Sequence, residues 1–166
     1  LKRMVVGGFE KVYELGRIFR NEGVSTKHNP EFTSVEIYQA FANYEDMMQL
    51  TEELISYIVQ TICKNLEINY QGEQINFSQP WKKISMKDSV KQFTGIDFDS
   101  FNGDFDKAKD AVIKQNIQIP SKINTFGRLL NEVFEQKVES NLIQPTFIVD
   151  YPIEISPLAR RHDNNR

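Results

Sequence analysis

The sequence contains very little cysteine and histidine, and this scarcity excludes two kinds of site. Cys63 is the only cysteine among the 166 residues, so the chain has no internal disulfide framework and fits a reducing compartment. One cysteine and two histidines, His28 and His162, do not make a zinc site. Because Cys63 lies in an apolar stretch with helical spacing, we expect it to be an inert core residue.

Long apolar runs and an excess of positive charge are missing too. No stretch approaches the roughly 20 apolar residues of a membrane-spanning helix, so we expect no membrane partner. The net charge of −3 gives no basic field of the kind that binds nucleic acid. At 40% hydrophobic residues, the chain can bury the core of a soluble domain.

Polar chemistry is concentrated in residues 20–38, where two β-patterns flank a loop. Residues 11–19 and 32–41 alternate with a period of two, which predicts two strands. The intervening residues 21–31 make an unusually long hairpin loop, and long loops are functional or disordered. This loop is neither rich in glycine and serine nor of one charge sign, which favours a functional loop.

The side chains of this segment suggest a phosphate- and base-binding site. Arg20 ends the first strand, where a guanidinium can grip phosphate oxygens through two parallel hydrogen bonds. Lys27 and His28 lie in the loop within reach of a terminal phosphate, and Phe32 is placed to stack on a base.

Glu36 and Tyr38 lie two residues apart and so share one face of the second strand. A carboxylate beside a phenol suits an ammonium group, which needs charge pairing and hydrogen bonds once desolvated. Taken singly, each residue has a simpler interpretation: a surface ion pair of Arg20, a core Phe32, a solvent-facing Glu36. Their combination at this spacing favours a site for a polyphosphate, a base and a cationic small molecule.

Residues 19–22 (Phe-Arg-Asn-Glu) and 28–32 (His-Asn-Pro-Glu-Phe) resemble motif 2 of the class II aminoacyl-tRNA synthetases, an antiparallel strand pair with a loop between. The resemblance implies roles for residues of an ATP site. Arg20 would bind the α-phosphate, Glu22 would contact the adenine end, and Phe32 would stack on adenine. Further ATP-binding residues implied by the match are Asn21, His28 and Asn29.

Three other segments are similar to the lysine-specific members of that class. Residues 5–10 and 51–54 resemble them, and residues 144–161 are similar to a signature of bacterial-type lysyl-tRNA synthetases. The resemblance implies that Glu36 and Tyr38 hold the lysine side chain. It also implies ATP and Mg²⁺, lysine and tRNA(Lys) as partners, a homodimer, and a location in the cytoplasm or an organelle.

The family's remaining parts are not found in this sequence. By the resemblance, the anticodon-binding barrel, motif 1 and a lysine-contacting Glu lie upstream, and the metal-binding acids and motif 3 lie downstream. We therefore expect no metal ligands within this chain. The sequence also lacks an initiator Met. We expect an internal piece of a longer enzyme, inactive by itself.

Two alternatives stay open. One is a paralogue that lysylates a protein such as elongation factor P, although that group departs from the Pro-Leu-Ala-Arg of residues 157–160. The other is a non-catalytic remnant that binds ATP, lysine or a protein partner.

The rest of the sequence predicts an α+β fold in which helices flank an antiparallel sheet. By the resemblance this is a partial class II catalytic domain. We divide it into the strand pair, long helix and hairpin (residues 1–80), a helical insertion (81–122), and a helix and strand returning to the active-site sheet (123–166).

The predicted elements are assigned from periodicity and turn residues. Apolar spacing predicts helices over residues 44–66, 86–93, 105–116 and 124–140, the first packed on the sheet. A hairpin is predicted over 66–77, a loop over 98–104 and a buried strand over 145–150. Ser85 is predicted to cap the second helix with Asp88, and Gly95 to end it.

Two residues outside motif 2 have ambiguous roles. Arg128, which follows Gly127, is a weak phosphate signal, and an exposed arginine after a flexible glycine is the favoured interpretation. Glu154 either supports Arg20 or is the capping acid of a turn after Pro152.

Overall fold

A computed structural model describes residues 1–21, 23–25 and 28–162 of the chain. The chain divides into two compact units, residues 1–50 and residues 51–166. Small antiparallel sheets and helices make up most of the structure, in agreement with the predicted α+β class.

The first unit is built on one antiparallel strand pair. A short helix that the sequence did not predict, α1 (Lys2–Val6), precedes β1 (Lys11–Phe19) and β2 (Glu31–Gln39). The register runs from Lys11 opposite Gln39 to Phe19 opposite Glu31. The predicted bounds of β1 are confirmed, whereas β2 stops two residues early, just before the left-handed Phe41 (φ 56°).

Helix α2 (Tyr44–Cys63) begins with a reciprocal cap. The Asn43 side-chain oxygen accepts hydrogen bonds from the amides of Glu45 (2.7 Å) and Asp46 (3.1 Å), and Asp46 accepts one from the Asn43 amide (2.8 Å). These bonds satisfy amides that a helix start leaves unpaired, so the helix begins where its apolar periodicity does.

The far end and the exposed face of α2 differ from the sequence-based prediction. The helix ends at Cys63 instead of residue 66, because Lys64 adopts a left-handed conformation (φ 60°). Ile58 and Ile62 of its predicted packing stripe are exposed, and so is Cys63. The stripe is therefore not the buried face that its period suggested, and the prediction of a core cysteine was wrong.

In the second unit, β3 (Glu67–Tyr70) and β4 (Glu73–Asn76) form the predicted hairpin. Its two turn residues, Gln71 (φ 53°) and Gly72 (φ 91°), are both left-handed, as the twist-matched two-residue turn requires.

Two later strands pair in a way that the sequence did not reveal. β5 (Lys82–Ser85) and β6 (Thr146–Val149) are parallel and in register from Lys82 opposite Thr146 to Ser85 opposite Val149. β6 is half-buried, so the prediction of a buried strand was too strong. Its return to the sheet of β1 and β2 stays a prediction.

The hydrophobic core of the second unit lies among three helices, α3 (Met86–Thr94), α4 (Phe105–Lys114) and α5 (Phe126–Lys137). The core side chains are Met86, Val90, Ile96, Phe98, Ala108, Val112, Ile117, Leu129, Leu130, Val133, Phe134 and Val138. Three-residue 3₁₀ turns follow at Glu139–Asn141 and Ile153–Ile155.

The ends of these helices follow their capping residues. Ser85 accepts a hydrogen bond from the Asp88 amide (3.0 Å) and Gly95 is left-handed (φ 75°), which confirms both predicted ends of α3 within one residue. α5 starts two residues later than predicted because Thr125 is its cap. α4 ends two residues early, ahead of the left-handed Asn116 (φ 54°).

One predicted loop is partly helical. Residues Phe98–Phe101 form a 3₁₀ turn because the Asp97 side chain accepts a hydrogen bond from the Asp99 amide (3.1 Å) and Phe98 is buried in the core. Across the part of the chain that the structure describes, every helix is too short or too polar to cross a bilayer.

Candidate functional site

One face of the β1–β2 pair collects four of the predicted site residues. Strand alternation places Phe32, Glu36 and Tyr38 on that face of β2. Arg20 directly follows β1, and its amide donates a hydrogen bond to the Pro30 carbonyl across 2.8 Å. This bond extends the strand pairing by one residue pair beyond Phe19 and Glu31. Arg20 therefore lies at the start of the loop, close to the beginning of β2.

Arg20 and Phe32 are in direct contact. The guanidinium carbon of Arg20 lies 5.3 Å from the centroid of the Phe32 ring, within the range of a cation–π interaction. Phe32 is half-buried, with Ile18 as its partner across the strands. The side chain predicted to bind phosphate and the ring predicted to stack on a base therefore belong to one cluster.

Glu14 is a residue of this face that sequence reasoning did not assign to the site. The register places it directly opposite Glu36, and both carboxylates are exposed. Like charges directly opposite each other destabilise a strand pair, so this position suits a cation. Strand alternation in the sequence places Glu14 on the same face as Arg20. Its position opposite Glu36 is known only from the register of the two strands.

The aromatic ring of Tyr38 has an ammonium group beside it. The side-chain nitrogen of Lys2, on α1, lies 5.9 Å from the ring centroid. The ring is half-buried, and its partner across the strands is Val12, which is buried. The arrangement provides an anchored aromatic surface for a cation next to the carboxylate of Glu36.

Hydrogen bonds join His28 to Ser25 in the loop between the strands. The imidazole Nδ1 lies 3.0 Å from the Ser25 hydroxyl, and the His28 amide donates to the same oxygen across 3.1 Å. The Asn29 side chain accepts a weak bond from the Glu31 amide (3.4 Å). His28, Asn29 and Asn21 are all exposed, so their polar groups face solvent around the strand ends.

Two residues predicted for this site, Glu22 and Lys27, lie outside the described residues.

The opposite face of the strand pair has a different character. Arg17 donates to Glu31 across 3.0 Å in an exposed ion pair. Around it, large apolar side chains are exposed: Tyr13, Leu15, Phe19 and Val35. The polar chemistry of the candidate site is thus confined to one side of β1 and β2.

The Glu154 side chain caps the first turn of α5. Its Oε1 accepts a hydrogen bond from the Gly127 amide across 3.1 Å, where a carboxylate is favoured by the helix dipole. Glu154 therefore caps the start of α5 and not the turn after Pro152, which has no side-chain cap among the described residues.

Arg128 is exposed and borders an open cavity of about 290 Å³. Lys122 and Asn131 line the cavity as well, but so do the carboxylates of Glu132 and Glu135. Two acids beside these two cations leave no net positive charge to bind a phosphate, so the cavity adds nothing to the weak phosphate signal of Arg128.

The described residues do not fit a metal site. Among residues 1–21, 23–25 and 28–162, no group of three or more His, Cys, Asp or Glu side chains converges as metal ligands would.

Comparison with known proteins identifies the family. The family model for "tRNA synthetases class II (D, K and N)" matches residues 1–166, which is the whole chain. The chain belongs to this family. Within this class II synthetase segment, the residues resembling motif 2 are those of β1, the following loop and β2.

Named relatives of this class II synthetase segment are lysine–tRNA ligases. Those of Prochlorococcus marinus strains MIT 9312 and MIT 9515 are 72% and 75% identical to it over 166 residues. The lysine–tRNA ligase of Synechococcus sp. (strain RCC307) is 62% identical over 162 residues, 98% of this chain. In each case the match covers 32% of the relative, so the chain spans about a third of the length of these proteins.

Proposed function

We propose that this chain is part of the catalytic domain of a lysine–tRNA ligase, which activates lysine with ATP and transfers it to tRNA(Lys). The observation that carries the proposal is the sharing of one strand-pair face by Arg20, Phe32, Glu36 and Tyr38. The identity of 72% to a lysine–tRNA ligase over the whole chain supports the choice of amino acid.

The ATP-binding part of the site consists of Arg20 and its neighbours. Arg20 binds the α-phosphate, Phe32 stacks on adenine, and Glu22 contacts the adenine end. Around them, Asn21, His28 and Asn29 offer exposed polar groups, in agreement with a loop that lines the nucleotide.

The amino-acid part of the site consists of Glu36 and Tyr38, which hold the ammonium group of the lysine side chain. Glu14, opposite Glu36, adds negative charge to the same face. The chain's own Lys2 ammonium beside the Tyr38 ring, at 5.9 Å, supports a cation-binding role for that ring.

The activation step needs no general base, because the lysine carboxylate is already ionised at neutral pH. One carboxylate oxygen attacks the α-phosphorus of ATP, the bond to the β-phosphate oxygen breaks, and pyrophosphate leaves. A terminal ribose hydroxyl of the tRNA then attacks the lysyl carbonyl carbon, and AMP leaves. Catalysis of the first step rests on positioning and charge neutralisation, and Arg20 supplies the positive charge at the α-phosphate.

The proposal includes the fold that the resemblance implies. The chain forms part of the antiparallel-sheet catalytic fold of class II synthetases, with residues 81–122 as an insertion. The homodimer, the use of Mg²⁺, the cytoplasmic location and tRNA contacts through other parts of the enzyme stay predictions.

The proposal is tested in the full-length protein by lysine-dependent exchange of labelled pyrophosphate into ATP. Arg20→Ala should cost about 3 kcal/mol or more in this step, the magnitude of losing one key charge stabiliser, which is at least a hundredfold in rate. Arg17→Ala is the matched control, since Arg17 lies on β1 three residues before Arg20 and pairs with Glu31 on the opposite face.

A loss below tenfold for Arg20→Ala, or equal losses for the two variants, would contradict the assignment of Arg20. Exchange that persists without charging of tRNA(Lys) would point instead to another acceptor, such as a protein lysylated by a paralogue. No exchange and no tRNA charging by the wild-type protein would favour a binding remnant.

A further inference from the structure

We infer that Phe32 positions the guanidinium of Arg20 for the activation step, in addition to providing a surface for adenine. The inference rests on the proposed function. It assigns to Phe32 an effect on the rate of the chemical step and not only on the affinity for ATP.

The first support is the difference in freedom between the two side chains. An arginine side chain has many rotamers, so each contact that holds its guanidinium narrows the positions that it can occupy. Phe32 has two rotatable bonds, is half-buried, and stands opposite Ile18 within the strand register. A ring held in this way is a fixed surface that helps to place the guanidinium in contact with it.

The second support is the local backbone geometry. The hydrogen bond from the Arg20 amide to the Pro30 carbonyl, 2.8 Å long, ties the end of β1 to the chain just before Phe32. The guanidinium carbon then lies 5.3 Å from the ring centroid. Backbone and side chain therefore both connect Arg20 to the start of β2, and the ring narrows the range of positions open to the cation.

The two roles of Phe32 predict different kinetic effects. Stacking on adenine is the same before and during the reaction, so its loss raises the KM for ATP and leaves kcat unchanged. If Phe32 positions Arg20, loss of the ring misplaces the guanidinium and weakens a charge interaction that grows as the α-phosphate reacts. Loss of the ring then lowers the rate at saturating substrate.

The experiment measures single-turnover formation of lysyl-adenylate in the full-length protein at saturating ATP and lysine. Phe32→Leu should lower the rate about 2- to 5-fold, which corresponds to the loss of an exposed cation–π contact. Phe32→Tyr and Phe32→Trp keep an aromatic face and should restore most of the rate. Phe41→Leu, the same change at a fully exposed phenylalanine, is the matched control and should leave the rate unchanged.

A double-mutant comparison assigns the effect to Arg20. If Phe32 acts through Arg20, then Phe32→Leu should have no further effect on the single-turnover rate of the Arg20→Ala protein. If Phe32→Leu fails to fold, Phe32→Met fills a similar volume without a ring and takes its place.

Three outcomes separate the inference from the function on which it rests. A ringless variant that changes only the KM for ATP, with a wild-type rate at saturation, would overturn the inference alone. An equal loss of rate on Phe32→Leu substitution in the wild-type and Arg20→Ala proteins would also overturn the inference. A wild-type rate for Arg20→Ala itself would instead overturn the proposed role of Arg20.

Discussion

The amide of Gly127 and the carboxylate of Glu154 form a 3.1 Å hydrogen bond that fastens the turn Ile153–Ile155 to the first turn of α5. The approach is so close that a Cβ atom on residue 127 would lie 2.5 Å from the Pro152 Cβ and 2.6 Å from the Glu154 Cδ. Ile155 of this turn packs against the core. The glycine is therefore required by packing between two segments, and not by its own backbone angles.

We expect Gly127→Ala to destabilise the protein by about 1–3 kcal/mol, because an atom added to a filled space forces its neighbours apart. Thermal unfolding of the full-length protein, followed by calorimetry, measures the effect. Gly16→Ala is the control, since a Cβ at Gly16 meets nothing within 4 Å. Equal shifts of the midpoint in the two variants would show that the close approach at Gly127 is absent.

We expect Glu36→Gln to raise the KM for lysine on the order of tenfold or more, while the KM for ATP changes far less. The neutral amide still accepts a hydrogen bond but loses the charge-assisted bond to an ammonium group, worth about 1.5–3 kcal/mol. Steady-state pyrophosphate exchange with each substrate varied in turn measures both constants.

The control for this charge removal is Glu73→Gln, at an exposed position on β4. Similar increases in the KM for lysine and for ATP in Glu36→Gln would place Glu36 away from the ammonium group.

The features that the sequence predicted correctly depend on neighbours in the chain. The turn at Gln71 and Gly72 needs two left-handed residues, and the start of α3 needs a hydroxyl at Ser85. The shared face of Phe32, Glu36 and Tyr38 follows from strand alternation alone. Each of these signals is complete within a few residues, so it can be identified before the fold is known.

The features that were missed depend on residues far apart in the sequence. The parallel pairing of β5 with β6 joins residues more than 60 positions apart, and no local signal shows that these two strands pair. Glu14 became part of the site only through its register with Glu36. The period of α2 predicted a helix correctly but did not show whether its stripe, including Ile58 and Ile62, is buried.

We expect the pKa of Asp97 to rise towards its usual value of 3.8 in a Lys91→Met variant. The Lys91 ammonium donates a 2.6 Å hydrogen bond to the Asp97 carboxylate and lowers its pKa in the folded protein. A lowered native pKa means that the pair stabilises the fold above pH 3.8 and that this contribution is lost as the pH falls through the native value.

A titration of the Asp97 carboxyl carbon by NMR, with labelled aspartate, measures this change. Asp104 provides an internal control, because its pKa is lowered by a hydrogen bond from Lys107 and not from Lys91. An unchanged Asp97 titration in Lys91→Met, or an equal change at Asp104, would mean that the Lys91 pair does not set the pKa.

We expect residues 1–166, expressed alone, to be poorly soluble or molten. Within the described residues, both strands of the β1–β2 sheet have an unpaired edge, and the face around Arg17 exposes 66% of Leu15 and 71% of Phe19. Leu15→Lys should therefore raise the soluble fraction, measured by sedimentation after expression. Gln74→Lys, the same charge added on the exposed β4, should not.

The contrary result would be equally informative. A monomeric segment with a sharp thermal transition and a full near-ultraviolet circular dichroism signal would mean that its packed core suffices for a unique fold. In that case the exposed apolar face does not control solubility. The effects of Leu15→Lys and Gln74→Lys would then be the same.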